Sequence, residues 1–161
     1  MNQRGFTLIE LLITMAIAAI LATVAAPSFS GFLARQQLAS DANAVLSGLN
    51  YARSQAITQR IEVNFEIEQD GDRWRFSVEP EDDNEALARA RNGIGNGSIQ
   101  LEANVTVKFE ELGKAESCGS SDCKIRLDHP RLDDCRVILV NEVGRVESLN
   151  KDEREQEEAC S

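Results

Sequence analysis

The strongest constraint on this chain is a run of 21 residues, Phe6 to Ala26, reading FTLIELLITMAIAAILATVAA and carrying one charge, Glu10. At about 1.5 Å per residue a helix of this length reaches roughly 30 Å, the hydrocarbon thickness of a bilayer. Arg4 precedes the run and no further basic residue follows until Arg35. That bias predicts a short leader on the cytoplasmic side and the bulk of the chain across the membrane. A secretory signal peptide cut after Val24-Ala25-Ala26 is a simpler reading, but the run exceeds the roughly 7–15 residues of a signal core, and Pro27 would follow the cut directly. A plain anchor leaves Glu10 without a purpose. A carboxylate inside an apolar stretch costs several kcal/mol unless it lies near the surface, is neutralised or is paired. No basic residue stands near it in the helix. A chain cut just before Phe6 would supply a cationic amine four residues away, about 6 Å along the axis.

Beyond Pro27 the helical period continues. Phe29, Phe32, Leu33, Leu38, Ala42, Val45, Leu46, Leu49, Ala52, Ala56 and Ile57 recur mostly every three or four residues, the stripe of an amphipathic helix running to about Gln59. Pro27 and Gly31 predict a bend or local melting on the way. From Ile61 the period becomes two. Ile61, Val63, Phe65 and Ile67 form one strand, Asp70-Gly71-Asp72 a turn, and Trp74, Phe76 and Val78 the returning strand, closed by Pro80. A short helix is predicted over Glu85 to Arg91. Ile99 to Phe109 reads as one alternating strand, and Lys124–Leu127, Cys135–Val140 and Arg145–Leu149 as three more, the last two joined by a tight turn at Asn141–Gly144. The sum is an α+β chain: one long helix against an antiparallel sheet of about five or six strands.

Candidate chemistry is sparse. With 27 acidic residues against 17 basic ones the net charge is −10, which excludes nucleic acid as the default partner, since phosphate binding leaves a basic footprint. The single histidine, His129 in Asp128-His129-Pro130, reads as an exposed loop residue with no nucleophile phrase around it, so no enzyme and no cofactor are predicted. Asn92-Gly93-Ile94-Gly95-Asn96-Gly97 reads as a flexible turn rather than a phosphate loop, and the acidic runs at Glu81–Asp83 and Asp152–Glu158 as solvated faces. Cys118, Cys123, Cys135 and Cys160 fit no zinc spacing. In a domain outside the cytoplasm they are expected as disulfides, with three possible pairings. Cys118–Cys123 around a Gly-Ser-Ser-Asp loop, with Cys135–Cys160 clipping the acidic tail, is the favoured one.

Arg4-Gly5-Phe6-Thr7-Leu8-Ile9-Glu10 ahead of a long apolar helix resembles the N-terminal signal of type IV prepilins and pseudopilins. The resemblance implies cleavage between Gly5 and Phe6 by a prepilin peptidase, N-methylation of Phe6, an assembly role for Glu10 and a helix kink at Pro27. It also implies the pilin fold. Ser28 to Ile57 is further similar to the GspH/FimT-type minor pilins, in which a phrase like Ala52-Arg53-Ser54-x-Ala56 closes the helix; Gly144-Arg145-Val146 adds a weaker likeness. The implied organisation is a leader over 1–5, a transmembrane and assembly helix over 6–27, and a periplasmic domain over 28–161. The implied function is a minor pilin subunit of a type IV pilus, held in the inner membrane as a single-pass protein and then built into the fibre. Its partners would be other pilin or pseudopilin subunits, the peptidase and, before assembly, inner-membrane lipid. The alternatives are a pseudopilin of a type II secretion system and a DNA-binding minor pilin. The last uses a basic Gly-Arg-x-Arg motif, but Glu147 stands where the second arginine belongs, so nucleic acid is not expected.

Overall fold

The computed structural model describes residues 6–82, 91–116, 122–132 and 134–149, with the backbone alone over 24–28. Its first element is one helix of 52 residues, α1 (Leu8–Gln59). Thr7 caps it in extended conformation, its side chain accepting the Glu10 N–H at 3.3 Å, while the Leu11 N–H donates to the Thr7 carbonyl at 3.2 Å. At the other end Arg60 turns into the left-handed region at φ 56°. The N–H groups of Arg60 and Ile61 both return to the Ala56 carbonyl, which stops the helix where the strand pattern starts. Helical backbone runs unbroken through Pro27 and Gly31, so the local melting anticipated there does not occur. An interior proline removes one backbone hydrogen bond and crowds the carbonyl one turn back, at a cost of about 3 kcal/mol, and the helical backbone continues despite it.

Among the described residues eight strands follow: β1 (Val63–Asp70), β2 (Arg73–Pro80), β3 (Arg91–Ile94), β4 (Gln100–Leu101), β5 (Val105–Phe109), β6 (Cys123–Asp128), β7 (Cys135–Val140) and β8 (Val146–Ser148). They form two four-stranded antiparallel sheets, ordered β3-β2-β1-β5 and β4-β6-β7-β8, rather than the single sheet expected. The difference arises in the stretch read as one strand from Ile99 to Phe109. The chain bends at Glu102–Asn104, where the Asn104 side chain accepts the Gln69 N–H at 2.9 Å and the Glu102 N–H reaches the Arg126 carbonyl at 3.2 Å. β4 therefore joins the second sheet and β5 the first. Alternation marks which face of a strand is buried, not which neighbour it pairs with.

Both sheets close on the second half of α1. Leu38, Ala42, Val45, Leu49, Ala52 and Ala56 meet Phe65, Ile67, Trp74 and Phe76 of the first sheet and Ile125, Leu127, Ile138 and Val140 of the second, in one continuous core. The Trp74 and Phe76 rings stack 6.1 Å apart, and Phe76 meets Phe65 at 5.1 Å. Over this aromatic layer runs the glycine-rich segment, which is packed rather than a flexible turn. A Cβ on Gly93 would stand 2.2 Å from the Phe76 ring, and one on Gly95 would stand 2.0 Å from Trp74 Nε1. Only glycine lets the backbone lie that close. The predicted helix over 85–91 falls mostly outside the described residues, and Arg91 opens β3.

Among the described residues two polar side chains are buried. His129 is buried in the turn after β6, not exposed, and its Nδ1 accepts the Arg131 N–H at 3.1 Å. Asp41 of α1 is buried too, and its Oδ2 accepts both the Trp74 indole N–H at 2.9 Å and the Asn96 N–H at 2.8 Å. This oxygen joins helix, aromatic layer and glycine segment. Asp41→Ala should therefore lower stability by about 2–4 kcal/mol, since one buried and one partly buried donor lose their carboxylate acceptor. Asp41→Asn, which keeps an acceptor oxygen, should cost distinctly less. Denaturant unfolding of the full chain, followed by emission from its single tryptophan, measures both.

Candidate assembly surface

The first half of α1 has nothing to pack on. Leu8, Ile9, Leu11, Leu12, Ile13, Met15, Ile17, Ile20 and Leu21 are exposed, as are Phe29, Phe32 and Leu33 beyond them; Phe6, just ahead of the Thr7 cap, is 85% exposed. Burial begins at Ala34 and is regular only from Leu38. Each large apolar side chain left in water forgoes about 1.5–3 kcal/mol of burial, so this surface is built for a medium or partner other than water. Among the described residues no helix is long and apolar enough to cross a membrane. The part whose side chains are described, Leu8 to Thr23, is shorter than the roughly 20 residues a crossing takes.

From Leu8 to Thr23 the polar side chains are self-contained, with one exception. Thr14 Oγ1 donates to the Leu11 carbonyl at 2.9 Å and Thr23 Oγ1 to the Ile20 carbonyl at 2.7 Å, so both hydroxyls are satisfied by their own helix. Glu10 is exposed in the first turn and forms no ion pair among the described residues. It stands one turn from Phe6, the residue at which the expected cleavage would create an amine. Gly5 lies outside the described residues, and at Pro27 only the helical backbone is described.

At the far end of α1 an arginine holds the loops in place. Arg53 Nε donates to the Gly113 carbonyl at 3.0 Å and Nη2 to the Val143 carbonyl at 3.1 Å. One guanidinium thus ties the helix to the loop after β5 and to the β7–β8 turn. Those loops meet closely: Gly144, at φ 75°, would place a Cβ 1.9 Å from the Gly113 carbonyl oxygen. The turn itself closes through the Gly144 N–H on the Asn141 carbonyl at 2.8 Å and the Arg145 N–H on Asn141 Oδ1 at 2.9 Å. Arg145 forms an ion pair with Glu147 on the surface.

Sequence reasoning marked Arg53 only as part of a phrase and missed Asp41. The signal for Asp41 was present, because it stands three residues after Leu38 and four before Val45, on the buried stripe itself. The cysteines are only partly placed. Cys118 and Cys160 lie outside the described residues, whereas Cys123 and Cys135 are both disulfide-bonded. They are not bonded to each other. In the β6–β7 register Cys123 faces Val140 and Cys135 faces Asp128, at opposite ends of the hairpin, far beyond the reach of an S–S bond.

Comparison with known proteins agrees with this anatomy. Residues 1–26 match the prokaryotic N-terminal methylation motif, and residues 41–144 match the family of type II transport protein GspH. Among curated relatives, a fimbrial protein of Pseudomonas aeruginosa is 43% identical over 61 residues, 38% of this chain and 39% of its own. A fimbrial protein of Moraxella nonliquefaciens is 49% identical over 47 residues, 29% of this chain and 30% of its own. The match thus spans well under half the length of either relative. Among solved structures, the type IV minor pilin FimU of Pseudomonas aeruginosa superposes with a TM-score of 0.58 at 20% identity, covering 75% of this chain and 94% of FimU. The minor pseudopilin EpsH from the type 2 secretion system of Vibrio cholerae gives 0.52 at 13% identity, covering 70% and 96%. At these identities the structures share a fold, the pilin fold of a long helix on antiparallel sheets.

The Arg53 clamp is testable directly. Arg53→Ala should cost about 1–3 kcal/mol, the worth of hydrogen bonds from a charged donor to one partly buried and one exposed carbonyl. It should also raise amide exchange selectively at Gly113 and Gly144. Arg53→Lys should rescue little, because an ammonium lacks the two-pronged fork. Hydrogen exchange read by mass spectrometry on full-length protein in detergent measures all three effects.

Proposed function

The chain belongs to the family of type II transport protein GspH, and on that premise we propose that it is a minor pilin: a structural subunit held in the inner membrane by α1 and then built into a type IV pilus. The observation that carries this reading is the division of one helix into two environments. Its second half packs under two sheets, and from Leu8 to Thr23 its first half presents apolar side chains, two self-bonded hydroxyls and Glu10. Such a half suits lipid first and neighbouring helices later, with no catalysis required. Residues 6–27 would span the membrane once, residues 1–5 would be the leader removed by prepilin peptidase, and the domain over 28–161 would lie in the periplasm. The match of residues 1–26 to the methylation motif supports the processing step.

In this reading Glu10 meets the methylated amine of Phe6. Away from water, carboxylate and amine attract more strongly than at a surface, which favours one register of the entering subunit over others. The disulfides would be Cys118–Cys123 and Cys135–Cys160. The absence of a Cys123–Cys135 bond supports this pairing over the one that contains that bond. A second reading, a pseudopilin of a type II secretion system, is favoured by the family itself and by the likeness to EpsH. Shearing fibres from the native cell separates the two: the chain recovered in the type IV pilus supports the first, and recovery only in the secretion pseudopilus replaces it with the second.

Mass spectrometry of the membrane-extracted chain should show an N-methylated Phe6 terminus, with Cys118 joined to Cys123 and Cys135 to Cys160. A start at Met1 or at Pro27 would reject the processing, and a Cys118–Cys135 link would reject the pairing. Glu10→Val should insert into the membrane at least as well as wild type, because the segment loses its one charge. Its recovery in sheared fibres should nonetheless fall at least tenfold. Equal recovery would remove Glu10 from the assembly step.

A further inference from the structure

An open sheet ends in two edges, and here one of them is left bare. In the first sheet β3 is the outermost strand on its side, and among the described residues nothing pairs with it beyond β2. The opposite edge, β5, is closed in part by its own chain: Ala115 bridges to Phe109, and the Glu116 N–H donates to the Lys108 carbonyl at 2.8 Å. In the second sheet the outer strands β4 and β8 are only two and three residues long. Short strands and covering chain are the usual means of blunting an edge, along with proline, bulges and charge. β3 spans four residues, holds no proline and pairs with β2 without a bulge.

Which backbone groups lie open follows from the register. The Gly95 N–H donates to the Trp74 carbonyl at 2.8 Å, one step beyond the Arg75↔Ile94 pair. Hydrogen-bonded and non-bonded pairs alternate along an antiparallel ladder. Gly93 and Arg91 therefore bond to β2 as well, opposite Phe76 and Val78, whereas Asn92 and Ile94 turn their N–H and C=O groups away from it. Two donors and two acceptors thus line the free edge, and no described residue bonds to them. The side chains beside them differ by face. On the outer face Ile94 is 72% exposed, and with Glu66, Arg75, Ser77 and Asn92 it lines a groove of about 550 Å³. A side chain leaning in from the edge meets a hollow there. On the inner face Arg91 lies over the Tyr51 ring, 5.4 Å from its centre, and Nη2 donates to Ser47 Oγ at 2.7 Å. These contacts hold the guanidinium at the edge, and among the described residues no carboxylate pairs with it.

We propose that β3 receives an extended segment of a neighbouring subunit's domain as a fifth strand of the first sheet. The segment carries an apolar residue opposite Ile94 and, three positions away, an acidic residue opposite Arg91. Backbone bonds to Asn92 and Ile94 hold it, and the two cross-strand pairs select it, one on each face. The charge requirement follows from Arg91, the one ionic group that β3 presents, fixed in place and without a carboxylate. The proposal rests on the fibre reading above, which supplies the source of the segment. Arg91 meets α1 at Ser47 and Tyr51, so β3 runs along the flank of the helix by which the subunit enters the fibre. On that flank the nearest chain is the domain of the next subunit.

The test uses the full-length chain. In detergent, residue-resolved amide exchange should be about tenfold faster at Asn92 and Ile94 than at Gly93 and Gly95, as open and bonded positions require. Equal protection at all four means that the chain covers its own edge, and overturns the proposal. In the native cell, Ile94→Pro removes one outward N–H and leaves the bonds to β2 in place, while Ile94→Lys puts a charge on the edge. Each should leave membrane levels unchanged and lower recovery in sheared fibres at least tenfold. A photo-reactive benzoylphenylalanine in place of Ile94 should crosslink to a domain segment of a pilin-type subunit with the apolar and acidic residues at that spacing. That measurement decides the matter if the variants do not accumulate. Full recovery of both variants, or a crosslink within the same chain or to any other partner, overturns the proposal. Absence of the wild-type chain from any fibre overturns the fibre reading instead, and the crosslink from Ile94 then decides the edge by itself.

Discussion

A helix that this chain cannot bury governs its structure. The domain supplies two small sheets, and together they cover about half of α1. The other half keeps a continuous apolar surface that water disfavours by many kcal/mol in sum. Protein interior, lipid and a bundle of like helices are the environments that relieve it, and under the proposed function the subunit would pass from the second to the third. The capped start at Thr7 and the self-bonded threonines keep polar groups of that half from being stranded, and Glu10 is the exception.

The second half of α1 solves a different problem, which is to hold two sheets on one cylinder. Packing of small and branched side chains provides the contact, but two polar residues fix its register. Asp41 gathers the aromatic layer and the glycine segment on one oxygen, and Arg53 gathers two distant loops on one guanidinium. Both point inward, and their removal from the outer face is what leaves that face uncharged. Internal stability and an uncharged exterior are thus two consequences of the same pair of orientations.

Much of this was legible in the residues. The apolar run, the charge at Glu10 and the change of period near Ile61 are local patterns, and they locate the helix and the strands β1, β2, β6, β7 and β8 closely. The reading failed where a residue's role depended on a partner distant in sequence. Ile99 to Phe109 looked like one strand because alternation is blind to a change of sheet. Gly93 and Gly95 looked flexible because nothing local reveals the rings of Phe76 and Trp74 beneath them. His129 looked exposed because a loop composition does not show that its ring is buried with a backbone donor.

The sequence by itself determined that this chain has one long helix with an apolar first half, an α+β domain behind it, and a carboxylate set where only a nearby cation would justify it. Those follow from periodicity and polarity, which act within a few turns or a few residues of strand. Tertiary structure alone decided that the strands divide into two sheets, that Asp41 and Arg53 face inward, and that the exposed α1 residues from Gln36 to Ile57 are therefore uncharged. Helical spacing can place residues on a common face. Which face is left to the outside depends on where both sheets settle, and that is fixed by contacts between residues many positions apart.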